Sequence, residues 1–82
     1  MTNFERALEI IDRACADNAT LDRKAFRNAL VRTHAKDEAC KLSEEYFRGF
    51  TQALYYAGAI SFEDRDILRM AMYENIPEGV NV

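Results

Sequence analysis

The spacing of apolar residues constrains this chain more than any other feature. They recur every three or four positions along most of its length, and no segment alternates apolar with polar residues. A period of three to four is typical of one face of an α-helix, whereas a half-buried strand has a period of two. Only three Gly and one Pro interrupt the 82 residues, and both residue types are poor in helix interiors. The pattern predicts an all-α fold.

Four segments carry this pattern, and short polar stretches separate them. Thr2 and Glu5 have capping-box spacing at the start of the first segment, with Asn3 as the alternative cap. Ser61 is a strong N-cap for the fourth segment. Gly58 gives the third segment a stop signal. The third helix begins at Ser43 in one interpretation and near residue 38 in the other. We predict a small bundle of four helices, over residues 3–17, 21–35, 38 or 43 to 57, and 62–75.

The length of the chain fits one domain. We predict that residues 1–76 form this domain and that residues 77–82, which begin at a proline, form a mobile tail. A chain this short buries a thin core and often gains stability by association. Association with a second copy or with another protein is therefore expected.

The N-terminus and the cysteines predict the compartment of the protein. Charges interrupt the first ten residues, which excludes a secretory signal there, and no stretch approaches the roughly 20 apolar residues that span a bilayer. Cys15 and Cys40 have no CxxC spacing and are interpreted as small, buried, reduced residues. A disulfide between them is the alternative, although cytosolic disulfides are rare. We predict a cytoplasmic protein with no membrane segment.

A basic island lies between two acidic ends. The net charge is −2 for residues 1–21, +3 for residues 22–41 and −4 for residues 42–82. The predicted second helix and its end carry five basic residues with no acidic residue between them: Arg23, Lys24, Arg27, Arg32 and Lys36. They would suit nucleic-acid phosphate or an acidic protein. The alternative is a solvated face, or one paired with acidic neighbouring helices, and the acidic chain favours it because nucleic-acid-binding domains are usually basic overall.

The chain contains no recognisable catalytic or cofactor-binding pattern. A Ser/His/Asp or Cys/His set, a P-loop and a glycine-rich dinucleotide turn are all missing. His34 is the only histidine, and Glu38 one turn later gives two ligands where a metal usually needs three or four. His34 is therefore interpreted as a surface histidine. We predict that the chain is not an enzyme and takes no cofactor or metal.

Five of the nine aromatic residues fall within residues 46–57. At 100° per residue, most of this segment shares one broad arc that is explained as core. The predicted arc contains Tyr46, Phe47, Phe50, Ala53, Leu54 and Ala57.

The edge of this arc is more specific than its centre. Gly49, Ala53 and Ala57 are spaced by four, and small residues at this spacing let another backbone come close, by analogy with membrane helices. Tyr56 lies beside them, and Tyr55 is expected to point away from the core. We predict a partner or dimer interface at Gly49, Ala53, Tyr55 and Tyr56.

Two functions of different classes follow. The first is a non-catalytic protein–protein interaction module, a homodimer that acts as adaptor or inhibitor by covering a surface of an unidentified partner protein. Phage and mobile-element accessory proteins that block a host complex belong to this class. The alternative is a nucleic-acid-binding or transcription-regulatory protein that uses the basic face of the second helix.

Overall fold

A computed structural model describes residues 2–18, 20–35 and 37–78 of the chain. These residues form four helices and no strand. The helices are α1 (Asn3–Ala16), α2 (Arg23–Arg32), α3 (Ala39–Tyr56) and α4 (Phe62–Ala71). The predicted all-α fold is therefore confirmed. Residues 79–82 of the predicted tail lie outside the described residues.

Capping boxes begin α1 and α4, at the predicted N-caps Thr2 and Ser61. The Thr2 hydroxyl accepts a hydrogen bond from the Glu5 backbone N–H at 3.2 Å, and the Glu5 carboxylate accepts one from the Thr2 N–H at 3.2 Å. The second bond, with a further one from the Thr2 hydroxyl, lowers the pKa of Glu5. Ser61 and Asp64 exchange the same pair of bonds at the start of α4. Each box satisfies backbone donors that the first helical turn leaves unpaired.

The predicted stop at Gly58 has the geometry of a Schellman motif. Gly58 adopts a φ of 77°, in the left-handed region that side chains with a Cβ rarely enter. The backbone N–H of Ala59 donates to the Leu54 carbonyl at 2.9 Å, and that of Gly58 donates to the Tyr55 carbonyl at 3.0 Å. The chain reverses here, and Ile60 enters the core directly after the turn.

Helix boundaries differ most from the prediction in α2, which spans Arg23–Arg32 instead of residues 21–35, and at the end of α4. α2 begins two residues later, because Asp22 is its N-cap and accepts from the Ala25 N–H at 3.1 Å. α3 follows the longer of the two alternatives and begins at Ala39. α4 ends at Ala71 instead of residue 75. The His34 imidazole donates from Nε2 to the Ala71 carbonyl at 2.9 Å, which satisfies an acceptor that a further helical turn would otherwise use.

The helices close into a ring around one core. α1 packs most extensively against α4, and α2 against α3, with smaller contacts between α3 and α4 and between α1 and α2. The fully buried residues at the centre come from all four helices: Phe4, Ala7, Leu30, Phe47, Thr51, Leu68 and Ala71. At the rim, Arg13 pairs with Asp64 at 2.7 Å, which links α1 to α4. Within the described residues, no helix combines the length and apolarity needed to cross a bilayer.

The buried face of α3 is rotated from the predicted arc. Phe47 and Leu54 are buried as predicted, whereas Tyr46, Ala53 and Ala57 are exposed. Buried Thr51 completes the core face of this helix. The physical reason is that α3 lies between α2 and α4, so its buried side must face both neighbours.

Candidate interaction surfaces

The basic face of α2 is largely engaged within the protein. Arg23 Nε donates to Asp12 Oδ1 at 2.6 Å, and Arg27 Nη1 reaches both oxygens of the same carboxylate at 2.8 and 2.9 Å. Partial burial raises the pKa of Asp12, but the hydrogen bonds and positive charges of Arg23 and Arg27 outweigh it and bring the pKa below the usual 3.8. Two of the five basic residues therefore hold α2 against α1.

Arg32, a third member of the basic face, is paired as well. Arg32 pairs with Asp37 at 3.1 Å in the connection to α3, and Lys24 is exposed near the start of α2. Lys36 lies outside the described residues. Arg23, Arg27 and Arg32 thus pair with aspartates, as the alternative interpretation of the basic face predicted. These pairs leave little unpaired positive charge on the described part of this face.

The two cysteines and the histidine are partly buried in the fold. Cys15 and Cys40 are half-buried free thiols, and burial together with the nearby Asp12 charge raises the pKa of Cys15. His34 is half-buried between the end of α4 and the Phe4 ring, which it meets edge-on at 5.5 Å, and it is not the surface histidine that the sequence indicated. In the part of the chain that the structure describes, no three His, Cys, Asp or Glu side chains are placed to hold a metal ion.

The outward side of α3 carries three of the four predicted interface residues. Gly49, Ala53 and Tyr56 are exposed, and Tyr56 retains 76% of its accessible surface. Apart from its chain neighbours and the nearby backbone of its own helix, a Cβ built on Gly49 would meet no atom within 4 Å, so no packing contact requires glycine there. Leu42 is 71% exposed on the same side. We call Leu42, Gly49, Ala53 and Tyr56 the α3 outer face.

Leu42 was missing from the predicted interface, although its spacing signals it. It lies seven residues before Gly49, and Tyr56 lies seven residues after it. Seven residues are nearly two helical turns, so these three positions share one side of the helix about 10 Å apart. Two large apolar side chains therefore flank a notch at Gly49.

Tyr55 does not belong to this surface, which corrects the predicted outward position. It is half-buried and packs against the core from the α4 side. Its ring lies 6.2 Å from the Phe62 ring, and the Arg65 guanidinium lies 4.7 Å from the Tyr55 ring centroid. Because the buried side of α3 is rotated toward α4, Tyr55 falls between the two helices and Tyr56 remains outside.

A second exposed apolar strip follows the outward side of α4, and the sequence interpretation missed it. Phe62, Met70 and Tyr73 are 54%, 47% and 63% exposed. Met70 and Tyr73 border an open groove of about 310 Å³, together with Asp66 and Arg69. The sequence signal was present, since Met70 and Tyr73 broaden the apolar arc of this helix beyond what one buried side needs.

Comparisons with protein-family models, with curated proteins and with solved structures gave no match to this chain.

Proposed function

We propose that this chain is a non-catalytic protein-interaction module that pairs with a second copy of itself through the α3 outer face. The observation that carries the proposal is the notch at Gly49 between exposed Leu42 and Tyr56. Large apolar side chains in contiguous exposed patches mark interaction sites, and Tyr is enriched at interfaces. A glycine in an exposed helix interior costs stability, so its placement there suits a partner that needs close approach.

The α3 outer face is complementary to itself. Leu42 and Tyr56 lie at equal distances on either side of Gly49 along the helix. In a twofold arrangement with the two α3 helices antiparallel, the glycines would meet at the axis, and Leu42 of each copy would lie against Tyr56 of the other. Such an isologous contact uses one patch twice and closes a dimer. The pair would act as an adaptor or inhibitor by covering a partner's surface, in the cytoplasm.

Sedimentation velocity over a range from low to high micromolar concentration tests the pairing. The wild-type chain should pass from monomer to dimer, whereas Gly49→Leu should remain monomeric because the new side chain fills the notch. The variant should stay helical by circular dichroism, since the site is open in the monomer.

Asn28→Leu is the matched control, because it adds the same side chain at an exposed position of α2. It should dimerise like the wild type. A wild-type chain that stays monomeric at high micromolar concentration would contradict the proposed pairing.

The basic face of α2 supports a nucleic-acid function less well. Its arginines at positions 23, 27 and 32 already pair with aspartates. Binding to phosphate would have to compete with these contacts, and no observation of the described residues favours it over the first proposal.

A further inference from the structure

The C-terminal half of the chain places all of its basic residues on one surface. Residues 42–82 contain three arginines and seven acidic residues. The guanidinium carbon of Arg48 lies 5.7 Å from the centroid of the Tyr73 ring, and that of Arg65 lies 4.6 Å from that of Phe62. Arg69 borders the groove beside Tyr73. Because the surrounding segment is acidic, this convergence is not a by-product of a basic composition.

We call this surface the arginine–aromatic face, and it is formed by Arg48, Phe62, Arg65, Arg69, Met70 and Tyr73. Arg48 comes from α3 and the other residues from α4 and its C-terminal end. The apolar members extend from the first residue of α4, Phe62, through Met70 to Tyr73 in the turn after the helix, over about 17 Å. This length suits roughly three turns of a helix laid along it.

The arginines of this face lack the close carboxylate partners that four of the five arginines elsewhere in the chain have, Arg6 being the fifth. Arg13, Arg23, Arg27 and Arg32 each bond an aspartate at 3.2 Å or less. Within residues 37–78, Arg48 and Arg69 have no salt bridge, and the contact of Arg65 with Asp66 is 3.9 Å long. The aromatic rings hold two of the guanidinium groups in place but offer no carboxylate.

The charge of the face indicates the chemistry of its partner. The face has three arginines and one aspartate, Asp66. The Glu74 carboxylate lies at its edge, because the Asn3 side chain contacts both Glu74 and Met70. The net charge is therefore +1, on a chain whose net charge is −3. Preorganised arginines beside exposed aromatic rings favour carboxylates, which a guanidinium binds with two parallel hydrogen bonds. Nucleic acid fits less well, because Asp66 lies within the face and Glu63 and Asp64 lie at the start of the same helix.

We propose that the arginine–aromatic face binds an acidic amphipathic helix of another protein. The apolar side of that helix would cover Phe62, Met70 and Tyr73, and carboxylates along its edges would pair with the exposed Arg48 and Arg69. The Arg65 side chain, which is only 16% exposed, would contribute mainly its positive charge. This is helix-in-groove recognition with charged edges. The face is distinct from the α3 outer face, so this binding goes beyond the proposed self-association and does not depend on it.

A displayed library of helical peptides tests the proposal with a defined probe. Each peptide would carry apolar residues at helical spacing, and the flanking positions would be randomised among Glu, Lys, Ser and Gln. Selection on the wild-type chain should enrich Glu at the flanks. Fluorescence anisotropy of a selected peptide should show binding that weakens as salt is raised, because charge pairs at an interface edge are screened.

Paired charge reversals locate the binding. The variant with Arg48→Glu and Arg69→Glu should bind the selected peptide about tenfold more weakly or worse. The matched control, Arg6→Glu with Lys24→Glu, changes the net charge equally at exposed positions of α1 and α2, and it should bind like the wild type. Gly49→Leu should also bind normally, which separates this proposal from the dimer.

Three results would overturn the proposal. One is a library that yields no binder, or yields binders without acidic enrichment. Another is an equal loss of affinity in both double variants. The third is binding of a labelled single-stranded oligonucleotide to the wild type that the variant with Arg48→Glu and Arg69→Glu abolishes. That result would assign the face to nucleic acid.

Discussion

Two glycines offer a matched test of what the backbone requires in this fold. A Cβ built on Gly49 or on Gly58 has no packing neighbour within 4 Å, so steric contacts do not distinguish the two sites. They differ in backbone conformation, because Gly49 lies inside α3 whereas Gly58 has a φ of 77°. The same change to alanine should therefore have opposite effects on the free energy of unfolding.

The magnitudes follow from these conformations. In a helix interior, glycine is less favourable than alanine by about 0.5 to 1 kcal/mol, so Gly49→Ala should stabilise the monomer by that amount. In the left-handed region a Cβ costs about 1 to 2 kcal/mol, so Gly58→Ala should destabilise it. The two variants should differ by about 1.5 to 3 kcal/mol. For a domain of this size each kcal/mol moves the melting temperature by about 4 to 8 °C.

Urea unfolding followed by far-ultraviolet circular dichroism measures both changes. The experiment belongs at low micromolar protein concentration, where self-association is weakest. A lower free energy of unfolding for Gly49→Ala would refute the reasoning, since it would mean that a Cβ meets an obstacle in the isolated chain. No loss of stability for Gly58→Ala would equally contradict the left-handed turn.

Two further predictions concern the contacts between helices. Because its two arginine partners hold the pKa of Asp12 below the usual 3.8, its charge stabilises the fold above that value, and this contribution is lost as the pH falls through the lowered pKa. Asp12→Asn should lower the free energy of unfolding by about 0.5 to 1 kcal/mol near pH 7, allowing for the 40% exposure of Asp12. The same variant should lower it little near pH 2, where the carboxyl group is protonated. Urea unfolding measures both values, and an equal loss at the two pH values would contradict the prediction. His34→Leu should lower the free energy of unfolding by about 1 kcal/mol in the same assay, because it leaves the Ala71 carbonyl without its imidazole donor. His34→Gln retains a donor group and should lower it less. Equal losses in the two variants would argue against the hydrogen bond.

The fold was predictable because local signals agree with each other. The Thr2 and Ser61 caps, the stop at Gly58 and the apolar period each act within a few residues of the chain, and the structure contains all of them. The early end of α4 was not predictable, because it involves His34, which is distant in sequence. Contacts of that kind have no local signature.

The candidate surfaces were only partly predictable, because apolar residues cover too much of α3 to show which side is buried. Alanine fits core and surface equally, so Ala53 could not orient the helix, and Thr51 counted as polar although it is fully buried. The packing of α3 between α2 and α4 decides the rotation, and with it the opposite environments of Tyr55 and Tyr56. The arginine–aromatic face could not be predicted, because Arg48 of α3 meets Tyr73 only when α3 packs against α4.

The extensive contact between α1 and α4 has a consequence for how the chain reaches its folded state. The apolar side of α1 finds its main partner only in the last helix, some fifty residues later. Until α4 emerges from the ribosome, α1 lacks its main partner and has mainly its smaller contact with α2. An isolated helix of this length is marginal in water. Bringing such distant segments together costs conformational entropy before the stabilising contacts between them can form. Folding should therefore proceed as one late, cooperative step, and a nascent chain that lacks α4 should leave Phe4 and Ile11 exposed to chaperones.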